Sequence, residues 1–244
     1  KPDEIAAARR PAGSIKAFLE LHIEQGPLLE AEGLDVGIVQ DVVAIHELKI
    51  CLNGRQGHAG TIPMHLRADA LDAAAKIISR VADLAREAGG GTVATVGWIA
   101  VKPGGFNIIP GQAEFSVDIR AGQAAHVDAV GRQLEQLVQQ IAQANCVECE
   151  ITHLMKVPPV QMAPDIVAIE KAACAKLGLK SRLMSSGAGH DAMVMAGITD
   201  VGLLFVPSLA GRSHCPEEWT DYEQLQKGVE VYLHTVLALA EAEL

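Results

Sequence analysis

The sequence has no long apolar run. No stretch approaches the roughly 18 consecutive apolar residues that a membrane-spanning helix needs, so we expect no membrane segment. The stretch from Lys1 to Pro11 also lacks the apolar core of a signal peptide. Because the sequence shows neither a membrane segment nor a signal peptide, we expect a cytoplasmic protein.

Positive charge is also scarce. Lys and Arg number 20 against 30 Asp and Glu, which gives a formal net charge of −10. Nucleic acids and anionic membranes reward clustered Lys and Arg, so we expect neither as the main partner. The five cysteines are odd in number and scattered, as is typical of free thiols in a reducing cytoplasm. Cys146 and Cys149 have CxxC spacing without a second pair, which favours strand-edge thiols over a metal or redox site.

The amino-terminal part shows the pattern of an α/β protein. Hydrophobic residues make up 49% of the chain, enough for a sizeable core. Residues 17–24 alternate with a period of two, which predicts a strand that has His22 on the same face as Phe18, Glu20 and Glu24. Pro27 can open a short helix that Gly33 closes. Residues 37–53 are rich in β-branched side chains and predict further strand.

The middle of the chain predicts a different unit. Its order, β-α-β-β-α-β over about residues 46–154, is that of a compact two-layer α+β fold of ferredoxin-like type. The predicted elements after the first strand are a helix over 64–88, strands over 92–101 and 112–120, a helix over 124–144 and a strand over 146–153.

After Pro158 and Pro159 the α/β pattern returns. The predicted elements are a helix over 165–177, a strand over 182–184, a helix over 190–197, an apolar parallel strand over 201–206 and a last helix opened by a Thr220–Glu223 capping box. We therefore predict an α/β domain built from residues 1–45 and 156–244, with an α+β unit inserted at 46–155. The flanking pieces supply few strands for a covered sheet, so we expect the first part of this domain to lie upstream of Lys1.

Polar side chains cluster at strand ends and in glycine-rich turns. The clusters are His22 between two glutamates, the Gly54–Gly60 turn with His58, Phe106–Pro110 with Asn107, Asp118–Arg120, the Ser186–Asp191 turn with His190, and Ser213–Glu217 with His214. Taken singly, each has a structural explanation, such as a hydrogen-bonded histidine or a surface ion pair. The other five histidines are assigned to that explanation: His46, His65, His126, His153 and His234. The clusters gain their meaning from occurring together and in this order.

In this order, the clusters resemble those of a known family. The chain is similar to the amidase branch of the metal-dependent aminoacylase and carboxypeptidase superfamily, which includes N-carbamoyl-L-amino acid hydrolases, β-ureidopropionases and allantoate amidohydrolases. The matching stretches are Glu20–Pro27, Gly57–Met64 with Arg67, Asp69 and Ala70, Phe106–Gly111, Asp118–Arg120, Ser186–Ala192 and Ser213–Glu217. The resemblance implies a zinc-peptidase-like α/β catalytic domain with an inserted ferredoxin-like lid and dimerisation domain.

The resemblance also implies a two-metal centre. His22 would ligate one divalent ion and His214 the other. Zinc, manganese, cobalt and nickel all accept histidine and carboxylate ligands, so the sequence does not choose among them.

Substrate-binding residues follow from the same resemblance. Asn107 and Arg120 would hold the carboxylate of a small ureido acid, because a guanidinium fork suits a carboxylate bidentately. His58 would bind substrate and stabilise the oxyanion formed at the ureido carbonyl. Gln25 and the turn from Gly187 to His190 would line the pocket. In this family some lid residues serve the partner subunit's site, so a homodimer through the lid is implied.

One departure from the family pattern bears on activity. The family's other ligands, a His, a bridging Asp and a Glu, with a neighbouring Glu as general base, lie upstream of Lys1. Glu24, Asp191 and Glu217 are carboxylates near the histidines, but none occurs in the family's ligand pattern. We therefore expect these residues alone to bind metal weakly and to be inactive.

Three readings stay open. The first is part of a hydrolase of N-carbamoyl-L-amino acids, which the stretch from 201 to 220 slightly favours. The second is an allantoate amidohydrolase or another ureido hydrolase, because a few polar contacts can switch substrate. The third is an incompetent fragment or pseudoenzyme that acts as a dimerisation and substrate-binding module.

Overall fold

The computed structural model describes residues 1–241, which form two compact units. Unit 1 consists of Lys1–Val42 and the chain from Val160 onward, and unit 2 is Val43–Pro159. The roles of unit 1 as catalytic domain and of unit 2 as lid remain predictions. Within residues 1–241, no helix combines the length and the apolar character needed to cross a bilayer.

Unit 1 is built on a five-stranded mixed sheet. Strand β12 lies between β1, to which it is parallel, and β2, to which it is antiparallel, while β10 and β11 also pair with β2. Its elements are a 3-10 helix Pro2–Ala8, β1 (Ala17–Ile23), α1 (Leu28–Glu32), β2 (Val36–Val42), β10 (Val160–Gln161), α4 (Pro164–Leu177), β11 (Ser181–Ser186), α5 (Asp191–Met195), β12 (Asp200–Val206), a 3-10 helix Leu209–Gly211 and α6 (Tyr222–Glu241).

Helices cover both faces of this sheet. Leu203 and Phe205 of β12 pack with α1 and α5, whereas Leu204 between them packs with α4 and α6. Every residue of β12 after Asp200 is buried. The apolar run at 201–206 therefore reflects a strand covered on both sides, as expected for the predicted α/β class.

Unit 2 is a two-layer sandwich. Its main sheet has the strand order β5–β8–β3–β9 with β6 also on β8, which is the antiparallel order of a ferredoxin-like β-α-β-β-α-β unit. Its elements are β3 (Ala44–Asn53), β4 (Gly57–His58), a 3-10 helix Met64–Leu66, α2 (Ala70–Ala88), β5 (Val93–Thr95), β6 (Ile99–Lys102), β7 (Ile108–Ile109), β8 (Gln112–Ala121), α3 (Ala124–Ala144) and β9 (Glu148–Val157). The inserted α+β fold class is thus confirmed.

The predicted starts of two helices were wrong. The helix expected from Met64 starts at Ala70, because the carboxylate of Asp69 accepts hydrogen bonds from the backbone N–H groups of Leu71 and Asp72 and caps it. The Thr220–Glu223 capping box does not form. The Thr220 hydroxyl instead donates to the carbonyl of Pro207 at 2.9 Å.

The strand predicted over 37–53 is two strands that belong to different units. Strand β2 ends at Val42 in the sheet of unit 1, and β3 begins at Ala44 in the sheet of unit 2. Both are rich in β-branched residues, so composition alone could not locate the break between them.

Candidate functional site

Three side chains meet on one face of the unit 1 sheet. Glu20 and His22 lie two residues apart on β1 and therefore share a face. His190 comes from the loop before α5, and its ring centroid lies 4.8 Å from that of His22. Phe205 of β12, the cross-strand neighbour of His22, packs beside both rings. Strand alternation and the fold of α5 onto β1 thus bring the polar groups together.

His190 has a hydroxyl that it bonds on one side and a carboxylate, beyond hydrogen-bond distance, on the other. Its Nε2 lies 2.7 Å from the Ser186 hydroxyl, and its Nδ1 lies 3.6 Å from a carboxylate oxygen of Glu20. The other Glu20 oxygen accepts the backbone N–H of Ala192 at 2.9 Å, which ties β1 to the start of α5. Burial, together with the neighbouring His22, lowers the pKa of His190 to about 4. The ring is therefore neutral at physiological pH and offers a lone pair.

The donor set of these residues suits a divalent cation. Ligand atoms from Glu20, His22 and His190 all lie within 4.8 Å of one another. His22 Nδ1 lies 2.9 Å from the backbone oxygen of Ile23, which as a carbonyl can only accept, so the ring proton is on Nδ1 and the Nε2 lone pair is left for a ligand. Two imidazoles and one carboxylate are a common set for zinc and its neighbours.

The carboxylate of Glu24 fixes the loop that follows β1. The backbone N–H groups of Leu28 and Leu29 donate to the Glu24 carboxylate at 2.8 and 2.9 Å. Glu24 is buried in this role, so it caps α1 and is not turned toward His22 as a ligand.

Gln25 and His214 have unusual backbones for their residue types. Their φ angles are 56° and 58°, in the left-handed region that glycine favours. Gln25 Nε2 donates to Ser213 Oγ at 3.0 Å, which joins the two loops. Such backbone conformations are frequent at functional sites, and the roles of Gln25 and His214 remain predictions.

His214 is not in the cluster of Glu20, His22 and His190, and the carboxylate of Glu218 binds its loop. Glu218 accepts hydrogen bonds from the Ser213 hydroxyl at 2.7 Å and from the His214 backbone N–H at 3.2 Å. These bonds lower the pKa of Glu218, and the nearby His214 and His22 side chains lower it further. Glu218 is therefore the carboxylate bound to the loop that carries His214, whereas the sequence interpretation considered Glu217.

The loop carrying His214 packs tightly on the turn after β1 at Gly211. This glycine has φ +63°, and a Cβ added to it would lie 2.7 Å from the backbone nitrogen of Pro27. We expect Gly211→Ala to lower the free energy of unfolding by about 2–3 kcal/mol, because it adds both a strained φ and a backbone clash. Urea unfolding measures this change. Gly197→Ala, whose Cβ would only touch Val194 O at 3.4 Å, is the matched control, and equal losses in both variants would contradict the expectation.

In unit 2, His58 and Asn107 line one open cavity of about 470 Å³, together with Gln56, Gly57 and Ile108. The short strands β4 and β7 pair His58 with Ile108, and the Ala59 N–H donates to the carbonyl of Asn107 at 2.8 Å. Both predicted substrate-binding side chains are exposed at this cavity. The pairing of β4 with β7 thus brings together His58 and Asn107, which lie 49 residues apart in the sequence.

Arg120 lies elsewhere in unit 2, on the open polar face of β8. Its Nε and Nη2 donate to the two carboxylate oxygens of Asp118, each at 2.8 Å. This bidentate pairing raises the pKa of Arg120 and fixes the plane of its guanidinium. The residues lining the His58 cavity do not include Arg120. Gly187, the remaining predicted pocket residue, is exposed in the loop between Ser186 and His190.

The structure gives contacts to three residues to which the sequence interpretation assigned no role of their own. The Ser186 hydroxyl bonds His190, Glu20 lies beside that ring, and Asp118 pairs with Arg120. For Glu20 a signal existed, because residues of one strand two apart share a face. For Ser186 no sequence pattern reveals which ring its hydroxyl meets.

A family model and several known amidohydrolases match nearly the whole of this chain. Residues 4–238 match the model of the peptidase family M20/M25/M40. N-carbamoyl-L-amino-acid amidohydrolase of Paenarthrobacter aurescens is 45% identical over 239 residues, which are 98% of this chain and 58% of that protein. Allantoate amidohydrolase of Escherichia coli is 36% identical over 94% of this chain and 56% of its own length.

Solved structures agree. A hydantoinase/carbamoylase family amidase from Burkholderia vietnamiensis superposes with a TM-score of 0.90 at 33% identity, covering 94% of this chain and 56% of that one. The chain thus spans somewhat more than half the length of the relatives it matches. With nearly all of its residues matched, and with the resemblance read from its motifs confirmed, this chain belongs to the peptidase family M20/M25/M40.

Proposed function

We propose that this chain is part of a metal-dependent amidohydrolase that cleaves the ureido C–N bond of N-carbamoyl-L-amino acids. The observation that carries the proposal is the group of Glu20, His22 and His190, with the Nε2 lone pair of His22 left for a ligand. It occurs in a chain 45% identical to a relative named for that activity.

Unit 1 would hold the metal. His22 is proposed to ligate one of two divalent ions and His214 the other, with Glu20, His190 and Glu218 as nearby groups able to orient or complete the ligand set. When bound, the ions would supply Lewis-acid polarisation and activation of water. His190, kept neutral by burial, can face such a cation without charge repulsion. Zinc, manganese, cobalt and nickel stay open as the identity of the ions.

Unit 2 would bind the substrate. We assign the ureido oxygen to the His58 ring and the substrate carboxylate to Asn107 and Arg120. Asp118 keeps the guanidinium plane of Arg120 fixed, so less conformational entropy would be lost when a carboxylate binds. Gln25 and the Gly187–His190 turn are proposed to line the substrate pocket of unit 1. We also propose a homodimer through unit 2.

Allantoate is the second candidate substrate. It is also a ureido acid, and the Escherichia coli relative is named for its hydrolysis. The two substrates differ in the groups near the acid carbon, and a pocket that hydrogen-bonds one can reject the other strongly.

A substrate panel tests the proposal. The protein encoded by the whole reading frame that contains these residues is stripped with a chelator and reloaded with zinc, manganese, cobalt or nickel. It is then assayed on N-carbamoyl-L-amino acids, their D-isomers, and allantoate. We expect activity only after reloading, with the N-carbamoyl-L-amino acids turned over fastest. Faster turnover of allantoate would make allantoate the preferred substrate in place of the N-carbamoyl-L-amino acids. No turnover of either would overturn both candidate functions.

A further inference from the structure

The loop that presents His58 in unit 2 has little regular structure of its own. Strand β4 consists of Gly57 and His58, and the chain then turns through Ala59–Ile62. In the part of the chain that the structure describes, one backbone bond crosses that turn, from Ile62 N–H to the His58 carbonyl, and it is long at 3.4 Å. The position of the imidazole therefore depends on whatever side chains hold this turn.

The ring of His58 is oriented by a backbone group of the same turn. Gly60 N–H donates to His58 Nδ1 at 3.0 Å. A nitrogen that accepts a hydrogen bond carries no proton, so the neutral ring has its proton on Nε2. The glycine allows this approach, since a Cβ at that position would lie 3.3 Å from the ring's Cε1. The turn thus makes Nε2–H the donor that His58 offers to a ligand.

The side chain of Arg67 bonds to both ends of this turn. Its Nη2 donates to the carbonyl of Ala59 at 2.6 Å and its Nε to the carbonyl of Ile62 at 3.0 Å. The planar guanidinium therefore bridges both ends of the segment that contains Gly60. Arg67 itself is anchored, because it ends the 3-10 helix Met64–Leu66 and lies two residues before Asp69, which caps α2.

We propose that Arg67 is a positioning residue for His58. By holding the carbonyls of Ala59 and Ile62 at a fixed separation, it keeps Gly60 N–H on Nδ1 and so keeps the proton on Nε2. Arginine suits this task because its fork reaches two acceptors at once, whereas a lysine ammonium is a point donor on a flexible stem. The inference rests on the proposed function in that His58 donates a hydrogen bond to the substrate.

Kinetics test the consequence for catalysis. In the metal-loaded protein from the whole reading frame, we expect Arg67→Lys to lower kcat about 10-fold and to change KM less than about 3-fold, because a donor needed in the transition state is no longer held in place. Arg55→Lys is the matched control. Arg55 also donates to a backbone carbonyl, that of Leu66 at 2.9 Å, but this carbonyl lies in the 3-10 helix after the turn. An equal fall in kcat in both variants would overturn the proposal.

Nitrogen NMR tests the positioning itself. In protein labelled with ¹⁵N-histidine, the signals of His58 are assigned by their loss in His58→Gln. We expect the Nε2–H tautomer alone in the unaltered protein and a mixture of tautomers in Arg67→Lys. An unchanged tautomer in Arg67→Lys overturns the proposal whatever the kinetics. A mixed tautomer with unchanged kcat supports the clamp by Arg67 and instead refutes the role proposed for His58.

Discussion

Replacing His58 by alanine is expected to lower kcat about 10²- to 10³-fold while KM changes only a few-fold. The side chain is exposed at the cavity it shares with Asn107, and its Nε2 carries the proton because Gly60 N–H occupies Nδ1. In the proposed reaction, a fixed donor of this kind would act mainly on the oxyanion at the ureido carbonyl and little on the ground state. Steady-state kinetics on the best substrate of the panel measures both constants.

A second histidine in the same loop region provides the control for this prediction. His65 is exposed on the 3-10 helix Met64–Leu66 and is absent from the residues that line the His58 cavity. We expect His65→Ala to keep kcat within about 2-fold, as is usual for surface substitutions. If His58→Ala had the kcat of His65→Ala, His58 would have no role in the chemical step.

Much of the fold could be predicted because burial leaves a periodic record in the sequence. The helix expected over 124–144 is Ala124–Ala144, and its apolar stripe lies on the sheet of unit 2. The alternation of 17–24 placed His22 on the polar face of β1. Both patterns follow from helix and strand geometry, which acts locally along the chain.

The contacts between loops could not be predicted in the same way. His190 meets His22 across a separation of 168 residues, and which loop folds over β1 depends on the packing of α5. The left-handed backbone of Gln25 and His214 left no sequence signal, because glycine would be the usual residue at such positions. A family resemblance identified these residues, and the structure adds which groups hold them.

The sequence alone also did not show which of the carboxylates of Glu20 and Glu24 lies beside the histidines. Glu24 was considered as a ligand because it shares a face with His22, but two backbone N–H groups occupy its carboxylate. Glu20 has the same alternation and stays beside His22 and His190. Sequence periodicity cannot separate the two, since the difference lies in the turn that follows Ile23.

Glu170→Met is expected to stabilise unit 1 by about 4 kcal/mol at pH 8 and to have little effect below pH 4.5. Glu170 of α4 is 1% exposed, and its Oε2 has no hydrogen-bond partner in the described structure. Burial raises the pKa of this carboxyl from 4.5 to about 8. Between these two values the unfolded chain releases a proton that the folded chain retains, so this group lowers stability as the pH rises from 4.5 to 8.

Urea unfolding at several pH values between 4 and 9 measures the effect. Within these 244 residues, a Trp98→Phe background leaves Trp219 as the only tryptophan, so the fluorescence of this polypeptide reports unit 1. The wild-type side chain should give an unfolding free energy that falls across the window, and Glu170→Met should give a flatter curve that meets it in acid. Glu241→Met, at an exposed position on α6, should leave the pH dependence unchanged. Parallel curves for Glu170→Met and wild type would mean that this carboxyl ionises in the folded protein as readily as in the unfolded chain, and therefore that water or a cation reaches it inside unit 1.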